Sequence, residues 1–402
     1  MNSSFPQMSY WLIAIVILLA LNVAATRHVR AHADEHGAQK LLFTIAIWLL
    51  PFMGAFSAYV NVRAPRPQGA PAAPAASPGA TPIPEKIAGP QGNDFPVLAH
   101  MFLANNVPMM DWKALSDWAA EHFDAAAAKV AIEQGRRIWL MHLREATGPH
   151  ARLVETQDAL ILTSMEPAVA AALAEYVSTT RQRILKVLKG IAQLPAGEKT
   201  ILIVMDSEED YYQYVANFYP EDGEFAMSGG MFIDAGCPHF LTVRNELSAV
   251  EPVIAHEMTH LSLSRLNLPK WLDEGIAVNT ERRVAGFRGQ LYTPRELHAK
   301  HLGFWNAGMI QQFWSGESFD RTDDGNLLSY DLGRIIVEQM GKQWDGFVRF
   351  VNTAQREDGG AAAAHEAFGA DLGEVASVLL EDMGDEDWSP DPAQWYSAQA
   401  VT

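Results

Sequence analysis

Two histidines four residues apart, His256 and His260, lie within the apolar segment "VIAHEMTHLSL" at residues 253–263. In an α-helix, residues i and i+4 lie on one face, so both imidazoles point in the same direction. This spacing suits the chelation of one divalent cation. Burying two imidazoles on an apolar helix costs free energy unless they pair or bind a metal. The segment therefore predicts an interior helix that needs further polar partners.

Glu257 directly follows the first of these histidines. Its carboxylate would lie beside the ligands rather than among them, where it can accept a proton from water at the metal. The order His256-Glu257-Met258-Thr259-His260 is the HExxH arrangement of zinc metallopeptidases. A solvated amphipathic helix is the alternative interpretation, and the apolar flanks favour the zinc site.

A third ligand has to come from another segment, because a catalytic zinc usually has three protein ligands and one open position. The segment "PKWLDEGIA" at residues 269–277 contains Glu274. Pro269 can begin a new helix after the turn that follows the histidines. Apolar residues of that helix, Trp271 among them, would pack inward and direct Glu274 back towards the metal.

The two segments "HEMTH" and "WLDEGIA" resemble the gluzincin branch of zinc peptidases, within the peptidase MA-like group, whose second motif reads W-L-x-E-G-x-A. The resemblance covers roughly residues 150–350. It implies a zincin-like fold that binds Zn²⁺ through His256, His260 and Glu274, with Glu257 as the catalytic base.

The same resemblance suggests roles for three flanking positions. Tyr330 lies in the place of a helix tyrosine that donates a hydrogen bond to the oxyanion, with a core tyrosine as the alternative. Residues 239–245, "HFLTVRN", lie in the place of an edge strand that pairs with the substrate backbone, with ordinary sheet core as the alternative. Asp273 either orients a histidine or faces water.

Two uncharged apolar runs precede the globular part of the chain, at residues 10–25 and 41–62. A membrane-spanning helix needs about 20 residues. We therefore expect two transmembrane helices that contact the lipid bilayer through residues 8–26 and 41–62, with a cleaved signal peptide as the alternative for the first. Within the second run, "IWLLPFMGAFSAYV" resembles the anchor of phospholipase D-type cardiolipin synthases, which implies no enzymatic activity here.

The loop between the two runs contains Arg27, Arg30 and Lys40. By the positive-inside tendency this loop faces the cytoplasm, so the catalytic domain is expected on the outer side of a bacterial inner membrane. The formal net charge of the chain is −18, which argues against a nucleic-acid partner. Cys237 is the only cysteine, so neither an intrachain disulfide nor a cysteine-based zinc cluster can form.

The pattern of elements predicts an α+β fold, with a mixed sheet and an active-site helix followed by a helical C-terminal lobe, behind the two transmembrane helices. The expected boundaries are a membrane anchor at residues 1–63, a Pro/Ala-rich linker at 64–95, a metallopeptidase domain at 96–383 and an acidic flexible tail at 384–402. Within the domain we expect a helical lead-in at 96–148, an α+β lobe at 150–265 and a helical lobe at 266–383. Local patterns predict a helix at 111–148, two strands within 151–165, a helix at 166–194, a strand at 199–206, a helix at 207–219 and two strands within 229–245.

The expected function is that of a membrane-anchored zinc peptidase that hydrolyses envelope or membrane-proximal polypeptides. A zinc-binding scaffold without turnover is the alternative, and Glu257 argues against it because metal binding alone does not require that residue. Hydrolysis of a non-peptide amide is a third option. Elsewhere, Cys237 is expected to be a buried small apolar residue, and His298 and His301 are expected to lie on a partly solvated helix face.

Overall fold

The computed structural model describes residues 82–194, 198–218, 229–286, 292–382 and 386–396. The strands are β1 (Lys86–Ile87), β2 (Phe95–Pro96), β3 (Met101–Ala104), β4 (Val107–Met110), β5 (Arg152–Glu155), β6 (Ala159–Thr163), β7 (Thr200–Met205), β8 (Gly230–Ile233) and β9 (His239–Val243). The α-helices are α1 (Trp112–His122), α2 (Ala125–Thr147), α3 (Pro167–Val187), α4 (Glu208–Val215), α5 (Leu247–Leu263), α6 (Lys270–Val284), α7 (Pro294–Phe304), α8 (Met309–Ser315), α9 (Asp324–Met340), α10 (Trp344–Thr353), α11 (Ala361–Phe368), α12 (Leu372–Leu379) and α13 (Pro392–Tyr396).

A mixed five-stranded sheet with the order β5-β6-β7-β9-β8 organises the first half of the described chain. Its three central strands β6, β7 and β9 are parallel, and β5 and β8 pair antiparallel at the two edges. Parallel strands need helical crossovers, and α3 supplies the one between β6 and β7. The strands and helices predicted between residues 151 and 245 are confirmed.

Both faces of the sheet are covered, so its central strands are apolar on both sides. On β6, for example, Ile161 belongs to one core and Leu160 and Leu162 to the other. We call the face that carries α1, α2 and α4 the N-terminal face. The face that carries α3, α5 and α6 is called the motif face, and its core continues into the helices that follow. The motif face therefore joins the sheet to the C-terminal helices.

Helix α6 packs against both α5 and α9, and α5 lies against β8 and β9 of the sheet. Gly275 of α6 and Gly333 of α9 meet backbone to backbone at this crossing. A Cβ atom added at Gly275 would lie 2.5 Å from the carbonyl oxygen of Gly333, and one added at Gly333 would lie 2.8 Å from that of Trp271. Only glycine permits such an approach. It brings α9 close to the residues that flank Glu274.

Trp271 fixes the start of α6. Its side chain is fully buried and its indole N–H donates a 2.9 Å hydrogen bond to the carbonyl oxygen of Gly359. The indole ring also makes edge-on contact with Trp314, with the centroids 5.4 Å apart. A large aromatic residue with its polar atom satisfied is a strong anchor. Pro269 lies at the N-cap position of this helix, one residue before its first turn.

The helical segment predicted at residues 111–148 is confirmed, and it consists of two helices, α1 and α2. Asp111 caps α1 by accepting a hydrogen bond from the backbone N–H of Ala114. Asp124 caps α2 by accepting from the N–H groups of Ala126 and Ala127. The apolar periodicity continues through both helices, which is why it predicts one. The break comes from an aspartate cap at residue 124.

The predicted fold class requires one correction. Its α+β part is confirmed, but the two N-terminal transmembrane helices are not supported. Among the described residues, no helix combines the length and the hydrophobicity that a membrane crossing requires. The two apolar runs from which those helices were predicted, at residues 10–25 and 41–62, lie outside the described part of the chain. The anchor was inferred from hydropathy alone, which reports composition and not packing.

Parts of the segments predicted as linker and tail pack into the fold. Ile87 of β1 and Phe95 of β2 are buried, within residues 64–95. Trp388 is 5% exposed, within residues 384–402, and its carbonyl oxygen accepts a hydrogen bond from the indole of Trp314. Isolated apolar residues in Pro-rich or acidic segments therefore mark places where the chain joins a core.

Candidate metal centre

The two helices α5 and α6 bring the three predicted ligands together. The imidazoles of His256 and His260 lie one turn apart on α5, with their ring centroids separated by 4.8 Å. Glu274, in the second turn of α6, directs one carboxylate oxygen between them. That oxygen lies 3.2 Å from the Nε2 atom of His256 and 3.5 Å from the Nε2 atom of His260. One ligand atom from each residue lies within 4.8 Å of the other two.

These separations can be compared with those that a zinc ion imposes. Zinc is bound at about 2.0–2.2 Å by imidazole nitrogen and carboxylate oxygen in a tetrahedron, so its ligand atoms lie roughly 3.3 Å from one another. The two nitrogen–oxygen distances above fall on either side of this value. Two of the three separations therefore match those of a tetrahedral zinc site, and the remaining pair of atoms lies within 4.8 Å. The three side chains are 12–16% exposed, so the site is mostly buried but still accessible to solvent.

A second carboxylate holds the other ring nitrogen of each histidine. The Nδ1 atom of His260 lies 2.9 Å from Asp273, and that of His256 lies 3.2 Å from Glu281. When Nδ1 donates its hydrogen to a carboxylate, the Nε2 lone pair is left free for a metal. Asp273 therefore orients a histidine, which was one of its two predicted roles.

Sequence reasoning missed Glu281. It lies seven residues after Glu274, two helical turns along α6, so it is on the same face of that helix. The spacing was a usable signal, because the apolar residues before Glu274 already predict which face of the helix turns towards the metal. Nothing in the motif itself calls for an acid at this position, and its partner, His256, belongs to another helix.

The protonation of this cluster shows how strongly it attracts positive charge. Burial opposes the charged imidazolium of His256, but hydrogen bonds with Glu274 and Glu281 outweigh it and raise its pKa to about 9. For His260, Asp273 and Glu274 likewise outweigh burial and raise the pKa well above its usual value. Burial also opposes the charge of Glu274, yet the two imidazolium groups lower its pKa. The carboxylates thus create a site for cationic charge, which a divalent ion can occupy in place of two protons.

Glu257 lies beside the ligands, in contact with the edge strand β8. It is 7% exposed and accepts a hydrogen bond from the backbone of Phe232. Burial raises its pKa, while the nearby histidines lower it. A Cβ atom at Gly230 would lie 3.3 Å from Cγ of Glu257 and 2.2 Å from Val253. Because residue 230 is glycine, the start of β8 can lie in direct contact with the side chain of Glu257.

Tyr330 belongs to the same site. Its ring packs edge-on against Phe319, with the centroids 5.1 Å apart. Burial raises the pKa of its hydroxyl, and the negative charges of Glu274 and Glu257 raise it further, the former also as a hydrogen-bond partner. The hydroxyl therefore keeps its proton and remains a donor. Tyr330 lies three residues before Gly333, so the glycine crossing of α6 and α9 sets its approach to Glu274.

Of the two interpretations of residues 239–245, ordinary sheet core is confirmed and the edge strand is wrong. His239–Val243 form β9, which lies between β7 and β8 inside the sheet. The edge is β8, the first strand of the same hairpin, which is also the strand that contacts Glu257. A hairpin pattern predicts that two strands pair, but it does not predict which of them joins an earlier strand of the chain.

The remaining sequence candidates lie outside the cluster. Cys237 is buried, as predicted, and burial raises its pKa to about 12. His301 is only 3% exposed, so its prediction as part of a solvated face is wrong. Its Nε2–H donates to Asp331 at 3.1 Å and its Nδ1 accepts from the indole of Trp305 at 3.0 Å. His298 is exposed and pairs with Glu381.

Comparisons with known proteins give no further guide: no protein-family model matches this chain, and no curated protein sequence matches it.

Proposed function

We propose that this protein is a zinc-dependent peptidase of the gluzincin type. One observation carries the proposal. Three potential ligand atoms lie within 4.8 Å of one another, and the buried carboxylate of Glu257, which is not one of them, lies directly beside the site. Metal binding alone needs the three ligands and has no use for Glu257, whereas hydrolysis needs a base at that position.

Zn²⁺ would be held by His256, His260 and Glu274, with Asp273 and Glu281 fixing the two imidazoles. When bound, it supplies a Lewis acid that polarises a carbonyl group and makes water more acidic. The contacts made by Asp273 and Glu281 also increase the basicity of the two imidazoles, which strengthens their bonds to a metal.

Glu257 would take the proton of the attacking water and pass it to the nitrogen of the leaving amine. Its burial favours this role, because a raised pKa makes a carboxylate a stronger base. Tyr330 would donate a hydrogen bond to the substrate carbonyl oxygen as negative charge develops there. The edge strand β8 offers an extended polypeptide a backbone to pair with, next to the base. These features favour a polypeptide as the substrate.

The decisive variant is Glu257→Gln. Glutamine has nearly the same shape but cannot accept the proton, so turnover should fall by about 10²–10⁴-fold while zinc content and thermal stability are retained. Cleavage of a peptide library, metal analysis and a thermal melt are measured on the same preparations. Glu251→Gln, on the same helix and outside the ligand cluster, is the matched control and should cleave at the wild-type rate.

Two results would contradict the proposal. Equal cleavage by zinc-loaded Glu257→Gln and wild type would remove Glu257 from the mechanism. A well-folded, zinc-loaded wild type that cleaves no peptide of the library would favour the alternative, in which the fold holds zinc as a scaffold.

A further inference from the structure

A cavity of about 250 Å³ lies beside the candidate metal centre, one helical turn before the HEMTH motif. It is bounded by the first turns of α5, the end of β9, the start of β8 and helix α4. Pockets for whole small-molecule ligands usually occupy about 300–1,000 Å³. A smaller cavity that adjoins a catalytic site suits one part of a larger substrate, such as a single side chain.

The cavity and the candidate metal centre lie along the same helix, α5. Val253 lines it, and Glu257 lies four residues later on the same helix face. The start of β8 covers both residues, since a Cβ atom at Gly230 would touch each of them. Thr242 Oγ1 fixes this start by donating a 2.7 Å hydrogen bond to the carbonyl oxygen of Gly229. A polypeptide extended along β8 would therefore pass the base and the cavity within a few residues.

Among the described residues, the lining of the cavity combines apolar side chains with one carboxylate and the polar residues Tyr212, Thr242 and Asn245. Val243, Ala249, Val250 and Val253 supply apolar surface, and Glu208 of α4 supplies the charge. The nearest basic residue along β9, Arg244, is engaged elsewhere, with its guanidinium 3.2 Å from Ser164 and 3.5 Å from Asp206. The cavity thus has a negative charge at one side and no lysine or arginine among its lining residues.

This combination matches one kind of side chain. Lysine and arginine have long apolar stems that pack against apolar surface and a cationic end that stays near water. The exposed Glu208 can pair with that end, while the valines contact the stem. An acidic side chain would meet repulsion from Glu208, and a neutral apolar one would leave the carboxylate without a partner.

We propose that this cavity is a specificity pocket for a lysine or arginine side chain of the substrate polypeptide. The inference rests on the proposed peptidase function for its biological meaning. The pocket itself can be tested by binding alone, independently of turnover.

The binding test uses the full chain, loaded with zinc and carrying Glu257→Gln so that nothing is cleaved. Its probes are hexapeptides of alanine and glycine with one lysine or one norleucine at each position in turn. We expect one lysine peptide to bind about fivefold more tightly than its norleucine counterpart, the upper range for an exposed ion pair. The preference should shrink in 1 M salt, where the Debye length is about 3 Å.

Adding Glu208→Gln should bring the lysine-to-norleucine ratio close to one, and Glu208→Lys should reverse the preference towards acidic peptides. Glu209→Gln, the next residue of α4 and not part of the lining, is the matched control and should keep the ratio. If the Glu208 variants fold poorly, Ala249→Phe fills the cavity from an exposed position and should abolish the preference. A ratio of one in the unsubstituted pocket, or a ratio that Glu208→Gln leaves unchanged, would overturn the proposal.

Cleavage of the same peptides by the wild-type protein separates this proposal from the function. If the protein binds lysine peptides preferentially through Glu208 but cleaves none of them, the pocket proposal is supported and the peptidase function is contradicted. If the protein cleaves lysine and norleucine peptides with equal kcat/KM at every position, the peptidase function is supported and the pocket proposal is contradicted.

Discussion

His239, which is buried, and the pair His256–His260, which is partly buried, lie on opposite faces of one sheet. On the N-terminal face, His239 contacts neutral groups: it donates from Nδ1 to the carbonyl oxygen of Cys237 at 2.7 Å and accepts at Nε2 from the hydroxyl of Tyr214 at 2.8 Å. On the motif face, both histidines contact carboxylates. Burial lowers the pKa of His239 to about 4, whereas the carboxylates raise that of His256 to about 9 despite burial.

The difference shows that burial alone does not decide whether a histidine is charged. His239 uses both ring nitrogens for neutral hydrogen bonds and is packed by Trp139, with the ring centroids 5.3 Å apart. It has no free lone pair for a metal. The histidines of the motif face turn their Nε2 atoms towards a shared carboxylate oxygen instead. A cation-binding site requires this excess of negative charge, and the following predictions test the contrast.

The largest effect is expected from removing a ligand on the motif face. His260→Ala should weaken zinc binding by about 10³-fold, because two protein ligands remain. Glu274→Ala should act similarly. His239→Gln on the other face should leave zinc binding unchanged. Competition with a chelator measures all three affinities. Full affinity in Glu274→Ala would show that the third ligand is another acid, with Asp273 and Glu281 the next to be tested.

The next effect concerns His239 and the pH dependence of folding. Its pKa is lowered from 6.5 to about 4 in the folded protein, so the unfolded chain binds its proton first as the pH falls. The stability that this histidine contributes is complete above pH 6.5 and is lost between about pH 6.5 and 4, by roughly 3 kcal/mol. Urea unfolding in the presence of chelator, at several pH values in this range, measures it.

In this measurement His239→Gln should flatten the dependence of the unfolding free energy on pH, because glutamine does not titrate there. The exposed His150→Gln, which has none of these contacts, is the matched control. An unchanged slope in His239→Gln would mean that this histidine is already charged inside the fold, and the contrast between the two faces would fail.

The smallest effect is expected at the carboxylates that hold the ligands. Glu281→Ala should weaken zinc binding by about 10–100-fold, since His256 loses its Nδ1 partner. Glu281→Gln keeps a hydrogen-bond acceptor and should lose less. The same chelator competition is used, with the surface variant Glu366→Ala as control. Equal losses in the alanine and glutamine variants would indicate that the negative charge, rather than the hydrogen bond, is what Glu281 contributes.

Local patterns were sufficient for most of the elements after residue 110 and for the residues of the candidate cluster. Apolar alternation and helical periodicity predicted β5 to β9 and α3 to α5, because these signals depend only on neighbouring residues. The motif spacing predicted His256, His260 and Glu274, which the structure brings within reach of one ion. The helical character predicted for residues 111–148 is confirmed, and an aspartate cap divides the segment into two helices.

Contacts between distant segments were not predictable in the same way. The edge position of β8 depends on which strand of the β8–β9 hairpin pairs with β7. The burial of His301 depends on the packing of α9 against α7. The role of Glu281 arises only once α6 lies against α5. Each of these outcomes is set by the packing of whole elements; the sequence places Glu281 on the face of Glu274 but does not show that His256 lies opposite it.

The sequence by itself determined that two imidazoles and a neighbouring carboxylate share one turn of an apolar helix, because helical geometry fixes residues i and i+4 on one face. Tertiary structure alone decided what surrounds them. The backbone contact of Gly275 with Gly333 brings Tyr330 to Glu274, and Gly230 lets β8 reach Glu257. These approaches depend on the absence of a side chain where two distant segments meet, so they become visible only when the segments are packed together.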